Sequence, residues 1–257
     1  MRVMVVPDAE AVGRHAAALV ADMVAGHAAA GRGTVLGVAA GATPVGLYRQ
    51  LQAHVATGLD FARVAAFALD EYLGLPLEHP ALFARCFQAH LPPCALTVIA
   101  SRPAGDLAAY CAGYEQAIAA AGGIDLQLLG IGGNGHIGFN EPGSSLGGRT
   151  RPVALSAETR AANAGAFAPG EAVPEAAITM GTGTILEARR ILLLATGAAK
   201  AAAVAAAVEG PLTAGLPASA LQLHADATLL LDEAAASRLT RRAYYDAEAA
   251  LPRRLDS

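Results

Sequence analysis

The side chains best suited to chemistry lie in one glycine-rich stretch, Gly130-Ile131-Gly132-Gly133-Asn134-Gly135-His136-Ile137-Gly138-Phe139-Asn140-Glu141-Pro142. It carries one imidazole, His136, and one carboxylate, Glu141. An imidazole titrates near neutrality and can take a proton and return it, and a neighbouring carboxylate sets its orientation and charge. The glycines let the backbone take positive φ angles and approach a ligand closely. The pattern is not the dinucleotide fingerprint, because Pro142 ends any helix before it starts. Read alone, His136 fits a structural role after a tight turn as well as a catalytic one.

Two further sets of residues could work with it. Asp70 ends an apolar run over 64–69 and stands beside Glu71. Adjacent acids at a strand end can send one carboxylate into a crevice and one aside, and a carboxylate in a water-poor crevice can act as a base toward a carbon acid. Turn capping by Asp70 is the alternative. Gly41-Ala42-Thr43-Pro44 falls between an apolar strand and a helix start. Free backbone N–H groups and the positive end of the helix dipole make such a turn an anion site, although an ordinary βα turn looks the same in sequence. Two cations could complete it. Arg160 falls near a predicted helix start, where a cation is disfavoured, and Lys200 follows the strand end Thr196-Gly197 among apolar neighbours.

The elements that must position these groups alternate regularly. Strands are expected over 2–6, 34–39, 64–69, 96–99, 124–130, 178–180, 190–195 and 228–231, with an extended stretch over 151–155. Helical spacing covers 8–30, 44–55, 80–90, 106–121, 156–167, 198–208 and 217–223, with Ser156 as the cap of the fifth. This order predicts an α/β fold, a doubly wound and mostly parallel open sheet of Rossmann-like type. A single domain over 1–257 is expected, with a mobile lid over roughly 155–175 and a charged tail from about 238.

Composition narrows the classes. With 54% hydrophobic and 16% charged residues the chain is globular, and its net charge of -4 argues against a broad nucleic-acid surface while allowing a local basic pocket. The cysteines, Cys86, Cys94 and Cys111, lack metal-ligand or C-x-x-C spacing and read as reduced thiols. No apolar run is long enough for a signal peptide or a membrane span, so a cytoplasmic protein without membrane contact is expected.

Taken in order, Gly41-Ala42-Thr43-Pro44, Leu69-Asp70-Glu71-Tyr72, the Gly133–Pro142 segment, Thr159-Arg160-Ala161-Ala162-Asn163 and Leu221-Gln222-Leu223-His224 closely resemble the glucosamine-6-phosphate deaminase (isomerase) family, nearly end to end. The resemblance implies conversion of glucosamine 6-phosphate and water to fructose 6-phosphate and ammonia, without metal or organic cofactor. It implies that Asp70 moves a proton between C2 and C1, that His136 opens the sugar ring, and that Glu141 sets its charge. Asn134 stands where some members carry Asp and others Asn. Gly41, Ala42 and Thr43 would hold the phosphate, with Arg160 and Lys200 closing on it. The partner is then a phosphorylated amino sugar, with assembly into a homo-oligomer left open. The family turn usually reads Thr-Gly-Gly-Thr-Pro where this chain has Ala40-Gly41-Ala42-Thr43-Pro44, and a Ser-Tyr pair is replaced by Leu82-Phe83. Val153 replaces a lysine of the family's allosteric site, so activation by N-acetylglucosamine 6-phosphate is expected to be weak or absent. The galactosamine epimer is the nearest alternative substrate. A 6-phosphogluconolactonase and a sugar-phosphate-sensing domain share the general fold.

Overall fold

The computed structural model describes residues 1–251, so the last part of the expected charged tail, 252–257, lies outside the described residues. Ten strands alternate with eight α-helices among these residues. The strands are β1 (Arg2–Val6), β2 (Thr34–Val38), β3 (Val64–Ala68), β4 (Asp70–Tyr72), β5 (Ala95–Thr97), β6 (Leu126–Leu129), β7 (Arg151–Ala154), β8 (Ala176–Thr179), β9 (Arg190–Ala195) and β10 (Ala227–Asp232). The helices are α1 (Ala9–Ala29), α2 (Ala42–Ala56), α3 (Phe83–His90), α4 (Leu107–Ala120), α5 (Ala157–Asn163), α6 (Thr182–Leu186), α7 (Ala201–Glu209) and α8 (Arg242–Ala250).

Seven strands form one sheet in the order β1-β10-β9-β6-β2-β3-β5, every neighbouring pair parallel. A parallel sheet of this kind must be covered on both faces, and the strand sequences carry the signature. Along β9, Leu192 and Leu194 join the core beneath α1 and α2, while Ile191, Leu193 and Ala195 join the core beneath α4 and α7. Leu230 divides from Leu229 and Leu231 in the same way on β10. The period of two sends alternate residues into two separate layers. The expected doubly wound, mostly parallel α/β sheet is therefore the fold.

Local signals set several helix boundaries. The Asp8 carboxylate caps α1 by accepting from the Ala11 N–H at 2.7 Å, and Asp106 caps α4 through the Ala109 N–H at 2.7 Å. Ser156 is the N-cap of α5, as its position before the helical run predicts, accepting from the Thr159 N–H at 3.1 Å. Among the described residues no helix is long and apolar enough to cross a membrane.

A second sheet departs from the sequence reading. Asp70-Glu71-Tyr72 is not the tail of β3 but a separate strand, β4, which pairs antiparallel with β8, itself paired with β7, in the order β4-β8-β7. All three residues of β4 are buried, so no polar–apolar alternation marks it. This small sheet carries the segment from α5 to β8 and closes an aromatic cluster in which Phe167 meets Tyr72 edge-on at 5.5 Å and Phe83 stacks on Phe139 at 5.8 Å. The expected helix over 156–167 is shorter: α5 ends at Asn163 and a 3₁₀ turn, Ala164–Ala166, follows.

Candidate active site

The loops after β2, β3, β6 and β9 converge at the carboxyl ends of their strands, where open α/β sheets hold ligands. Between them lies a cavity of about 320 Å³ lined by Gly41, Ala42, Thr43, Asp70, His136 and Lys200, with Phe83, Phe139, Thr159, Asn163 and Thr196 among the rest. Six of the nine residues singled out in the sequence thus share one wall system.

The remaining carboxylate and amide stand behind the histidine. His136 Nδ1 donates to Asn134 Oδ1 at 2.8 Å, and the Asn134 amide donates to Glu141 Oε2 at 2.9 Å. Glu141 Oε2 is itself 3.9 Å from His136 Nδ1. The other carboxylate oxygen accepts from the Ser156 hydroxyl at 3.0 Å and its backbone N–H at 3.3 Å. This relay puts the ring proton on Nδ1 and leaves Nε2 free as a base. Burial pushes the imidazole pKa down, the Glu141 carboxylate opposes this, and the Lys200 charge adds to the lowering. Burial would raise the Glu141 carboxyl, but hydrogen bonds from Asn134 and Ser156, and the attraction of His136 when it is protonated, hold it below the ordinary value. The site is therefore a neutral imidazole backed by an ionised carboxylate.

Close packing around the ring sets a limit on the loop. A Cβ at Gly132 would come within 2.2–2.5 Å of three His136 ring atoms. Gly132→Ala should therefore displace the imidazole while leaving the seven-stranded core untouched. We expect a loss of turnover comparable to removing the histidine, about 10²-fold or more, with the thermal midpoint changed by only a few degrees. Unchanged turnover in that variant would show that the ring has room to spare.

Asp70 is 7% exposed and receives no hydrogen bond on its carboxylate among the described residues. Burial, with the Glu71 charge next to it, raises its pKa to about 8. Glu71 is turned aside, as adjacent acids at a strand end allow. Its carboxylate accepts backbone N–H groups of Tyr72 at 3.0 Å, Phe83 at 3.1 Å and Ala84 at 3.0 Å, so it is Glu71, not Asp70, that caps a helix start, that of α3.

The anion turn is open. Gly41 precedes α2 at φ 117° and no side chain caps that helix, leaving the N–H groups at its first turn available. Lys200 ends the 3₁₀ turn Ala198–Lys200 rather than lying inside a helix. It is half-buried with no ion-pair partner among the described residues, and burial lowers its pKa. Such a desolvated cation calls for an anion.

Arg160 stands apart. It belongs to the last turn of α5, where a cation is favoured by the dipole, so the expectation of an unfavourable placement does not hold. Its guanidinium pairs with Glu175 at 3.3 Å, and it does not line the cavity, although Thr159, Ala162 and Asn163 of the same helix do. His224 and Gln222 also serve elsewhere: His224 Nε2 bonds the Ala188 carbonyl at 2.7 Å and Gln222 bonds that of Ala207 at 2.9 Å. Sequence reasoning gave Thr196 no role, although its place at the carboxyl end of a parallel strand was the available signal.

A doubly wound α/β fold with an acid/base crevice beside an open helix N-terminus and a half-buried lysine has the layout of an enzyme site at the carboxyl ends of its strands. The sequence profile described as glucosamine-6-phosphate isomerases/6-phosphogluconolactonase matches residues 7–230, and the chain belongs to that family. It is similar to a glucosamine-6-phosphate deaminase of Cellvibrio japonicus, 49% identical over 251 residues, which are 95% of this chain and 94% of that one. The similarity to the glucosamine-6-phosphate deaminase of Streptomyces avermitilis is 49% over 252 residues, 95% of both chains. Among solved structures, a monomeric glucosamine-6-phosphate deaminase superposes with a TM-score of 0.86 at 41% identity, covering 93% of this chain and all of that one. A 6-phosphogluconolactonase from Trypanosoma brucei, 18% identical with a TM-score of 0.73 over 93% of this chain and 98% of its own, shares the fold.

Proposed function

We propose that this enzyme is a glucosamine-6-phosphate deaminase, converting the amino sugar phosphate and water to fructose 6-phosphate and ammonia. The observation that carries the reading is that Asp70, His136, the 41–43 turn and Lys200 line one cavity. The phosphoryl group rests on the N–H groups of Ala42 and Thr43 with the Lys200 ammonium against it. His136 Nε2 takes the proton of the anomeric hydroxyl while the ring oxygen gains one, opening the hemiacetal. Asp70, ionised, removes the C2 proton to form an enolamine and delivers it to C1. Water then adds to the resulting C2 imine and ammonia leaves.

Residues 155–175 serve as a lid in this scheme. The segment is tethered by the Ser156–Glu141 bond at one end, and His79 Nε2 meets Glu171 at 2.6 Å toward the other. Its closure would bring Arg160 from Glu175 toward the phosphate and exclude water from the enolamine. Ammonia release from glucosamine 6-phosphate, with galactosamine 6-phosphate run in parallel, tests the reaction and the epimer. Lack of ammonia from both would defeat the proposal.

Lys200→Met should raise KM for glucosamine 6-phosphate by about 10- to 100-fold, the worth of a charge-assisted contact. The same variant should leave KM for unphosphorylated glucosamine near its starting value, since the lost contact is to the phosphate. An equal rise for both sugars would take Lys200 out of the phosphate site. We also propose a cytoplasmic location, which the unpaired state of Cys86, Cys94 and Cys111 supports. Association between copies is measured by light scattering, with the monomeric relative as reference.

A further inference from the structure

The turn from Ala40 to Pro44 offers a single side-chain hydroxyl, that of Thr43. Its Oγ1 lies 3.1 Å from Oγ1 of Thr196, and both threonines line the cavity. The two come from different loops. Thr43 follows β2 and Thr196 follows β9, and in the sheet these strands are separated by β6. Among the described residues no ladder hydrogen bond joins the two loop ends, and the pair of hydroxyls links them.

The pair is also one acceptor short. Two facing hydroxyls hold two hydrogens, of which one serves their mutual bond. Neither hydroxyl makes another hydrogen bond among the described residues, so one hydrogen is left over at the cavity wall. A phosphoryl oxygen is an acceptor only and satisfies it. The flanking residues Ala39, Ala40, Ala42 and Ala195 bring no competing side-chain acceptor.

The β9 loop is fixed in place from behind. Both carboxylate oxygens of Asp232, at the end of β10, accept the Gly197 N–H, at 2.9 and 3.0 Å. Asp232 Oδ1 also accepts from the Ala235 N–H at 2.7 Å, which anchors the carboxylate itself. Thr196 is thus held next to an immobilised peptide, and Lys200 reaches the same cavity from the 3₁₀ turn that follows.

We infer that Thr196 is a phosphate-binding residue, its hydroxyl acting with that of Thr43 to grip one phosphoryl group between the loops after β2 and β9. This rests on the assignment of the 41–43 turn and Lys200 as the phosphate site and adds the Thr196 hydroxyl to it. The arrangement couples two strands that do not touch through the ligand they share. Unlike the backbone N–H groups of the turn, the hydroxyl pair can be altered by side-chain substitution.

The test uses the full-length protein and two variants, the near-isosteric Thr196→Val, which lacks the hydroxyl, and Thr196→Ser, which keeps it and loses the methyl. Inorganic phosphate is the probe in titration calorimetry, and ammonia release from glucosamine 6-phosphate is followed separately. Thr196→Val should weaken phosphate binding about tenfold and raise KM for the sugar phosphate by a similar factor. Thr196→Ser, which keeps the hydroxyl, should bind phosphate within about twofold of the unaltered protein. Phosphate binding by Thr196→Val as tight as in the unaltered protein would overturn the inference. Loss in Thr196→Ser as large as in Thr196→Val would overturn it too, by assigning the effect to packing. Thermal unfolding without phosphate identifies a misfolded variant, in which case Thr196→Ala takes the place of Thr196→Val under the same criteria. If the unaltered protein binds phosphate and releases no ammonia, the deaminase reading fails while the calorimetry still decides the role of Thr196.

Discussion

Asp70→Asn should lower turnover of glucosamine 6-phosphate by about 10³-fold or more and abolish exchange of the C2 proton with solvent. The asparagine has the same shape and cannot accept the proton, so binding should persist: KM should stay within about tenfold. A second, opposite effect follows from burial. The carboxyl has its pKa raised to about 8 by burial and by Glu71, against 3.8 when unperturbed. Its contribution to stability is fully present below the unfolded value and is lost as pH rises through the folded one, because above that a bare buried charge must be kept. From about pH 4 to pH 8 the native protein should therefore lose stability on account of this one residue, and Asp70→Asn should not. At pH 9 the variant should be more stable by about 2–5 kcal/mol, a shift of about four units being worth at most about 6. At pH 4 the two should unfold at nearly the same denaturant concentration. An inactive variant that is also less stable at pH 9 would mean that Asp70 holds the structure together rather than being strained in the interest of function. Retained C2 exchange would remove it from the base role altogether.

The same residue shows how far the amino-acid sequence could be read. That Asp70 closes an apolar strand was visible, and the parallel sheet followed from the alternation of strands with helices. The caps at Asp8, Asp106 and Ser156 are local and carry their own chemistry, so they can be found without the fold. Of the second sheet, the extended stretch over 151–155 and the strand over 178–180 were visible, but β4 and the pairing were not. Strand β4 is three residues long and wholly buried, and its partner β8 lies about 100 residues further on, a pairing that no local pattern encodes. The role of Glu71 was hidden for a similar reason, since the N–H groups of Phe83 and Ala84 that it caps are twelve and thirteen residues away. Arg160 was misjudged because the position of a charge relative to a helix end depends on where the helix stops. α5 stops at Asn163, and a cation that would oppose the dipole of a longer helix sits comfortably in its last turn.

His136→Gln is expected to slow turnover of the closed sugar by about 10²- to 10³-fold. The amide can fill the space but cannot pass a proton between the anomeric hydroxyl and the ring oxygen. The defect should be confined to ring opening. An analogue lacking the hydroxyls that close the ring should be turned over by the variant at close to the rate of the unaltered enzyme, and an equal loss on both substrates would refute a ring-opening role. The pH dependence separates His136 from Asp70. Burial pushes the imidazole pKa below its ordinary value, which favours the neutral ring with Nε2 as a base. The carboxyl of Asp70, by contrast, becomes a base only as pH rises toward about 8. The acidic limb of kcat/KM in the free enzyme should thus lie near 8 and belong to the aspartate, coupled to Glu71. His136→Gln should lower the whole curve and leave that limb where it was. Glu71→Gln should move the limb toward lower pH, because the neighbouring charge that opposes ionisation is gone, while the amide oxygen still accepts from the Phe83 N–H and only the bond from the Ala84 N–H is lost. A limb that vanishes with the histidine would reverse the two assignments, making the imidazole the group whose ionisation gates the carbon chemistry.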